Sequence, residues 1–277
     1  MSIIKLTSLL VDKLQNLVDA FYHYVDLNHY NRVEAYKLIL ETFYQAIDYK
    51  QSLLGKDLRK DIRLLRMLDS ARKFLDTITE VEEKYGASVP ALVRETFRRA
   101  RAVLANVPED IPRYVIICDG LSIIDMIYIV TRLRKELEKN SMKGFFVAPL
   151  INPGGVTETY KFILEPHIYL YNGSLTLDDI AKNITKQLLA KEYIVFREYD
   201  RLLHQLKSVH VNTIVDTMFK LTSELYNKIL HLKKEFHSVV VLISDHGYDI
   251  VTGDGMYKIE HFWRPRSLSI IASLAIV

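Results

Sequence analysis

The chain has 277 residues, of which 49% are hydrophobic and 26% are charged, a composition typical of a soluble globular protein. Its 37 basic and 34 acidic residues leave a formal net charge of +3, which is too small to predict nucleic-acid binding. Cys118 is the single cysteine, which excludes an intrachain disulfide and a cysteine-built zinc site, and no apolar run approaches the ~18 residues of a membrane span. We therefore expect a cytoplasmic protein with no membrane segment.

Helical periodicity dominates the first 110 residues. Apolar positions recur at helical spacing in three stretches, and Pro90 is placed to open a fourth helix that runs to about Leu104. The three stretches are 6–18, 33–47 and 58–74. Proline and acidic residues at 106–112 then interrupt this pattern. We predict an all-helical N-terminal domain over 1–110 and a second domain over 111–277.

Beyond that boundary, short apolar runs alternate with helical segments. The expected strands are 114–118, 145–147, 167–171, 193–196, 239–243 and one within 267–277. The expected helices are 122–138, a short helix from 157, 177–190 and 212–236. Alternation of this kind is typical of parallel strands joined by right-handed helical crossovers. The sequence therefore predicts an α/β fold with a mostly parallel sheet and helices on both faces.

Residues with metal-ligand side chains follow three of the expected strands. They are Asp119 after the first strand, Asp200 and His204 after 193–196, Asp245 and His246 after 239–243, and His261 later in the chain. Ligands of open α/β sheets bind where strands end at their carboxyl side, so these residues are expected to meet at one edge. Carboxylates and imidazoles together suit Zn²⁺ or Mn²⁺, and these groups suffice for two cations with open positions for substrate.

Each group also has an ordinary structural explanation. Asp119 with the following glycine is compatible with a turn, and Asp200 and His204 are compatible with an exposed helix pair. His261 is compatible with a hydrogen-bonded histidine beside Trp263. The order and spacing of the groups favour a metal site over these separate explanations.

In that order, the groups resemble the metal-binding core of the alkaline phosphatase superfamily. This superfamily includes cofactor-independent phosphoglycerate mutases, nucleotide pyrophosphatases/phosphodiesterases, sulfatases and PglZ-type proteins. Its members carry an aspartate after the first strand, a nucleophile at a helix start, Asp-x-x-x-His, Asp-His-Gly at a strand end and a last histidine. The matching residues are Asp119, Asp200 with His204, Asp245-His246-Gly247, and His261. The resemblance covers 111–277, and PglZ-type domains are the closest subgroup because they also combine a compact core with helical flanks.

The resemblance implies a two-metal phosphohydrolase or phosphodiesterase with a threonine nucleophile, acting on an unidentified phosphate ester. It implies one cation held by Asp200, His204 and His261. It implies a second cation held by Asp119, Asp245, His246 and the nucleophile oxygen. The alternatives are a phosphomutase of the phosphoglycerate mutase type and a non-catalytic PglZ-like regulatory or defence module. Such a module would bind a protein or nucleic-acid partner through its helical domain.

Thr157 is the expected nucleophile. The glycine-containing loop after Asn152 delivers it to a helix amino terminus, where backbone N–H groups and the helix dipole favour phosphate. A plain N-cap role is the alternative for Thr157, since threonine is a preferred cap. Thr159 is the second candidate, and Ser122 is a third that looks more like a helix cap. Cys118 lies inside a strand, which disfavours formylglycine chemistry.

Two further features bear on substrate recognition. Candidate phosphate-binding cations are Arg197, Lys161, Arg264 and Arg266, which spacing alone does not assign. The region that resembles the superfamily is short, with sixteen residues after His261. It leaves little room for the large segments that select substrates in familiar members.

Overall fold

The computed structural model describes residues 1–27, 30–48, 52–138, 145–164, 176–253, 256–261 and 267–277. Its helices are α1 (Ile3–Leu27), α2 (Arg32–Ile47), α3 (Ile62–Tyr85), α4 (Val89–Leu104), α5 (Ile123–Glu138), α6 (Thr157–Leu164), α7 (Leu177–Gln187), α8 (Glu198–Leu203) and α9 (Val211–Phe236). Its strands are β1 (Arg113–Cys118), β2 (Phe146–Ile151), β3 (Glu192–Phe196), β4 (Val239–Ser244), β5 (Asp249–Gly253), β6 (Met256–Glu260) and β7 (Ile271–Ile276). The expected strand 167–171, Trp263, Arg264 and Arg266 lie outside the described residues.

The regular structure described within 1–110 is helical, as the periodicity predicts. The Asn31 side chain caps α2 by accepting a hydrogen bond from Glu34 N at 2.9 Å, and Pro90 stands in the first turn of α4. Within the described part of the chain, no helix is both long enough and apolar enough to cross a bilayer.

The N-terminal helices pack directly against the α/β region. Helices α1 and α4 contact β2, and α1 and α2 contact α5. Tyr36 of α2 is fully buried and meets the ring of Tyr128 on α5 edge to face, with ring centroids 5.5 Å apart. Buried side chains of both regions belong to one continuous hydrophobic cluster. The two regions therefore share a core, and the domain boundary near residue 110 stays a prediction.

The main sheet has five strands in the order β2-β7-β4-β1-β3. Strand β1 pairs parallel with β3 and β4, whereas β7 pairs antiparallel with β2 and β4. The α/β class is confirmed, but the expectation of a mostly parallel sheet is wrong. With the β5–β6 hairpin included, antiparallel pairings outnumber parallel ones among the described strands. The difference arises at β7, which enters the sheet in the opposite direction between two strands that run the same way.

This topology sends four strand ends to one edge of the sheet. Because β2 and β4 both run antiparallel to β7, they share a direction, and β1 and β3 share it through their parallel pairing. The register sets Cys118 opposite both Phe196 and Ser244. The loops that follow β1, β3 and β4 therefore leave the sheet side by side, with the loop after β2 at the same edge.

A hairpin that the sequence analysis does not anticipate follows the Asp-His-Gly motif. Strands β5 and β6 pair antiparallel, with Asp249 opposite Glu260. An isolated bridge between Val209 and Tyr257 ties this hairpin to the segment before α9. Because the hairpin folds back on itself, it returns His261 to the end of β4.

Candidate metal centre

The hydroxyl of Thr157 lies between two carboxylates. Its Oγ1 is 2.8 Å from Asp245 Oδ2 and 3.2 Å from Asp119 Oδ1. A hydroxyl has one proton, so it donates to only one of these oxygens at a time and faces the other with a lone pair. Three oxygen atoms meet here with one proton between them. A divalent cation can bind all three oxygens at once, whereas a hydrogen bond joins only two of them. This part of the site therefore fits a cation.

Backbone N–H groups fix the other oxygen of Asp245. Gly120 N and His246 N donate to Asp245 Oδ1 at 3.0 Å and 2.9 Å, and the carboxylate is fully buried. Gly120 has a φ of +86°, and a Cβ there would lie only 3.0 Å from Leu203 Cδ1. Glycine is required at this position because the β1 loop approaches Asp245 closely in a left-handed conformation.

The imidazole of His246 turns one nitrogen toward the carboxylates. Its Nδ1 is 2.9 Å from Gly247 O, and its Nε2 is 3.4 Å from Asp119 Oδ1. A carbonyl accepts a hydrogen bond but cannot donate one, so this contact assigns the Nδ1 proton. Nε2 of the neutral ring then presents its lone pair to the site, which is the usual arrangement of a metal-binding histidine.

A second group adjoins the first, formed by Asp200, His204 and His261. Asp200 N donates to Asp119 O at 3.0 Å, which fixes α8 to the β1 loop. His204 Nε2 is 3.3 Å from Asp200 Oδ1, and its ring stands at 80° to the ring of His261 with centroids 5.2 Å apart. The ring of His261 also stacks on His246 at 5.1 Å. The two groups are therefore in direct contact.

Asp200 belongs to both groups. One ligand atom each from Asp200, His204 and His261 lie within 4.8 Å of one another, and the same holds for Asp119, Asp200 and His246. The resemblance gives Asp200 to one cation only, whereas its carboxylate lies beside ligands expected for both. The structure thus brings all six expected ligands to one edge of the sheet.

Negative charge dominates this edge. Burial acts to raise the pKa of Asp119, but the hydrogen bond with His246 helps to lower it below its usual value. Burial raises the pKa of Asp245, and the charge of Asp119 adds to this effect. Burial opposes the charged form of His246, yet Asp245 and Asp119 raise its pKa to about 9. The ring of His246 is therefore protonated when no cation is present, and it is the neutral Nε2 ligand described above once a cation replaces that proton.

Thr157 is the first residue of α6 and not its cap. Val156 O accepts a hydrogen bond from Tyr160 N at 3.3 Å, which places Val156 at the cap position. The described hydrogen bonds of the Thr157 hydroxyl go to the two carboxylates. The N-cap position of α6 is therefore Val156, and the nucleophile role of Thr157 stays a prediction.

The other two nucleophile candidates have local roles. Thr159 packs against Gly154, where a Cβ would lie 2.0 Å from its Oγ1. Ser122 is fully buried, and its Oγ accepts a hydrogen bond from Ile124 N at 3.3 Å, so it caps α5 as its sequence position suggests.

Two of the four candidate phosphate-binding cations lie in the described part of the chain. Arg197 forms an ion pair with Asp178, and Lys161 lies 3.3 Å from Glu158 on the same helix. Both cations are already engaged with acidic side chains. Neither is assigned to a phosphate by its contacts.

Two residues that the sequence analysis does not single out hold the loops together. The buried Asn152 side chain donates to Val156 O at 2.8 Å and to Asp245 O at 2.9 Å, which joins the Thr157 loop to the Asp-His-Gly loop. Ser244 Oγ lies 2.6 Å from both Leu121 O and His246 O, between the β1 and β4 loops. An asparagine that opens a Pro-Gly-Gly loop is the one signal that could have indicated the first of these roles.

Comparison of the chain with models of known protein families and with curated proteins finds no match.

Proposed function

We propose that this protein is a metal-dependent phosphohydrolase or phosphodiesterase that acts through Thr157. The observation that carries the proposal is the contact of the Thr157 hydroxyl with Asp119 and Asp245, beside the group of Asp200, His204 and His261. The resemblance of these motifs to the alkaline phosphatase superfamily supports the same reaction. The substrate class is a phosphate ester.

The donor set suits two divalent cations of the zinc or manganese kind. Asp119, Asp245, His246 and the Thr157 oxygen would hold one of them, and Asp200, His204 and His261 would hold the other. Asp200 would stand between the two cations, because its carboxylate belongs to both groups. When bound, such cations bind phosphoryl oxygens, lower the pKa of a hydroxyl and neutralise developing negative charge.

The residues of the chain position and activate the nucleophile. Asp245 accepts the Thr157 proton along their 2.8 Å contact, while Gly120 N and His246 N hold the carboxylate in place. Oγ1 of Thr157 then forms a bond to phosphorus as the bond from phosphorus to the ester oxygen breaks. The ester oxygen leaves as an alcohol that takes its proton from water, and Asp245 returns the threonine proton to the solvent. Water hydrolyses the resulting phosphothreonine, which releases inorganic phosphate from a monoester and restores the hydroxyl. From a diester it releases the remaining monoester.

Helix α6 supplies a further attraction for the substrate. Its first N–H groups have no partner within the helix and carry the positive end of the helix dipole. Thr157 stands at this end, so an anionic phosphoryl group that reaches its hydroxyl also meets these groups. Burial of Asp245 and His246 strengthens the electrostatic interactions at this position.

Elemental analysis and two assays test this proposal together. Purified protein should contain zinc or manganese at about two atoms per chain, as expected for two sites of three protein ligands each. Turnover of p-nitrophenyl phosphate indicates a monoesterase, and turnover of bis-p-nitrophenyl phosphate indicates a diesterase. Protein that binds metal but cleaves neither ester, and that forms no acid-stable phosphoprotein, would contradict the proposed reaction.

A further inference from the structure

A cavity lies at the edge of the main sheet opposite the metal centre. It measures about 420 Å³ and is formed where β2 and β4 begin and β7 ends, with α4, α5 and α9 around it. Small-molecule sites typically measure about 300–1,000 Å³, so the cavity is large enough for a ligand. Among the described residues that line it, all are apolar except Lys233 and Asn106. We call it the Lys233 cavity.

Several apolar side chains of the Lys233 cavity are only partly covered. Phe145, Phe146 and Val239 are half-buried, and Val103 and Val107 are half-buried on the opposite wall. An apolar ligand in the cavity would remove this surface from water. Removal of apolar surface from water favours association of such a ligand with the cavity.

Lys233 is the charged side chain among the described lining residues, and it is 5% exposed. Its Nζ donates to Ser238 O at 3.3 Å, which uses one of the three donors of an ammonium group. Among the described residues, no carboxylate lies within ion-pairing distance of it, whereas its neighbour Lys234 contacts Glu136 at 2.9 Å. Burial lowers the pKa of Lys233 to about 8, in keeping with a cation that lacks a counter-charge.

We propose that the Lys233 cavity binds an apolar carboxylate of the medium-chain fatty acid type, whose carboxylate pairs with Lys233 while its chain contacts the aromatic and aliphatic wall. A single buried ammonium matches a single negative charge. A phosphate dianion would leave one charge uncompensated in an apolar site, which is unfavourable. The carboxylate instead supplies the acceptor that the buried ammonium lacks.

Calorimetric titration of the full-length protein with decanoate and with 1-decanol tests this inference. We expect decanoate to bind to the wild-type protein and Lys233→Met to weaken it roughly 10- to 100-fold, the value of a hydrogen bond between charged groups. Methionine keeps an unbranched side chain without the charge, so 1-decanol should bind both proteins with similar affinity. Lys234→Met is the matched control, because it removes the adjacent exposed charge and should leave decanoate binding unchanged.

A second variant separates loss of binding from loss of folding. Val107→Trp enlarges a half-buried lining residue of the Lys233 cavity without changing the charge, and it should weaken both ligands while circular dichroism and thermal unfolding stay close to wild type. Equal binding of decanoate by wild type and Lys233→Met would overturn the role of Lys233. Absence of binding of both ligands to the wild-type protein would overturn the site itself.

Discussion

The hydroxyl of Tyr36, on helix α2, donates a hydrogen bond to the buried carboxylate of Asp125 on α5 at 2.8 Å. Tyr248, two residues after His246, donates to the other oxygen of Asp125 at 2.9 Å. Thr222 of α9 also contacts Asp125 at 2.7 Å and accepts a hydrogen bond from Tyr199 at 3.0 Å. This buried network joins an N-terminal helix to the residues that flank Asp200 and follow His246.

Removal of the Tyr36 hydroxyl should therefore weaken both the fold and the metal centre. Tyr36→Phe leaves the buried Asp125 short of a donor, and we expect the free energy of unfolding to fall by about 1–3 kcal/mol. Metal affinity should fall as well, because the loop that contains His246 loses support through Tyr248. Urea unfolding and metal titration measure the two effects. Tyr193→Phe, on the partly exposed edge strand β3, should change both by much less.

The protonation of Asp125 should make the free energy of unfolding depend on pH. Burial raises its pKa from 3.8 to about 6, so the folded protein keeps this proton in a range where the unfolded chain has lost it. Protonation of Asp125 therefore contributes up to about 3 kcal/mol to the free energy of unfolding below about pH 4. This contribution is lost as the pH rises through about 6. Asp125→Asn should remove that part of the pH dependence in urea unfolding at pH 4 and 7. Asp69→Asn, which removes an exposed partner of Lys73, should retain it.

Turnover should depend on Thr157 and much less on Thr159. Thr157→Ala removes the oxygen that contacts both carboxylates, so phosphate ester hydrolysis should fall by at least about 1000-fold while most of the metal is retained. Thr157→Ser restores the hydroxyl and should recover part of the rate. Thr159→Ala removes a side chain that packs against Gly154, and its activity should stay within about tenfold of wild type. Full activity of Thr157→Ala would exclude the covalent route.

Metal stoichiometry should separate the shared ligand from the unshared ones. His204→Ala removes a ligand from one group, so we expect the metal content to fall from about two to about one per chain. Asp200→Ala removes a carboxylate that lies in both groups and should lower the occupancy of both sites. Elemental analysis after dialysis distinguishes the outcomes. If Asp200→Ala and His204→Ala lose the same amount of metal, Asp200 serves one cation only.

Two glycines should respond in opposite ways to alanine. A Cβ at Gly247 would lie 2.5 Å from the backbone oxygen of Leu268, so Gly247→Ala should be strongly destabilising and should displace His246. Gly86 has helical backbone angles, and nothing lies within 4 Å of an added Cβ. Gly86→Ala should therefore leave stability unchanged or raise it by about 0.4–1 kcal/mol. Thermal unfolding and metal titration of both variants provide the comparison.

Local sequence patterns predict most elements of this fold. The helices of the first 110 residues follow from the helical period of their apolar positions, and strands β1, β2 and β4 follow from apolar runs that are buried. Strand β3 also follows from an apolar run, although Phe196 is its one buried residue. The convergence of Asp119, Asp200 and Asp245 follows from one rule, since the strands before them end at the same edge. These parts depend on short-range patterns, which a single sequence displays.

The remaining features depend on contacts between distant segments. The apolar run of β7 fits either strand direction equally well, so its antiparallel entry cannot be read from its residues. The dual position of Asp200 depends on how closely α8 approaches the β1 loop. The Asp125 network joins residues up to 212 positions apart, and no spacing rule connects them.

The place of β7 in the sheet has a consequence for how the chain folds. This strand is the last in chain order among the described elements, yet it lies between β2 and β4 and is the described partner of β2. During synthesis, about 120 residues are added after β2 before its partner β7 is made, and the backbone N–H and C=O groups of β2 lack that partner in the meantime. Long-range pairing of this kind is slow, and unpaired strand edges promote association between chains. Yield on refolding should therefore depend steeply on protein concentration. Helices α1 and α4 contact β2 in the folded protein and precede it in the chain, so they can shield it before β7 pairs.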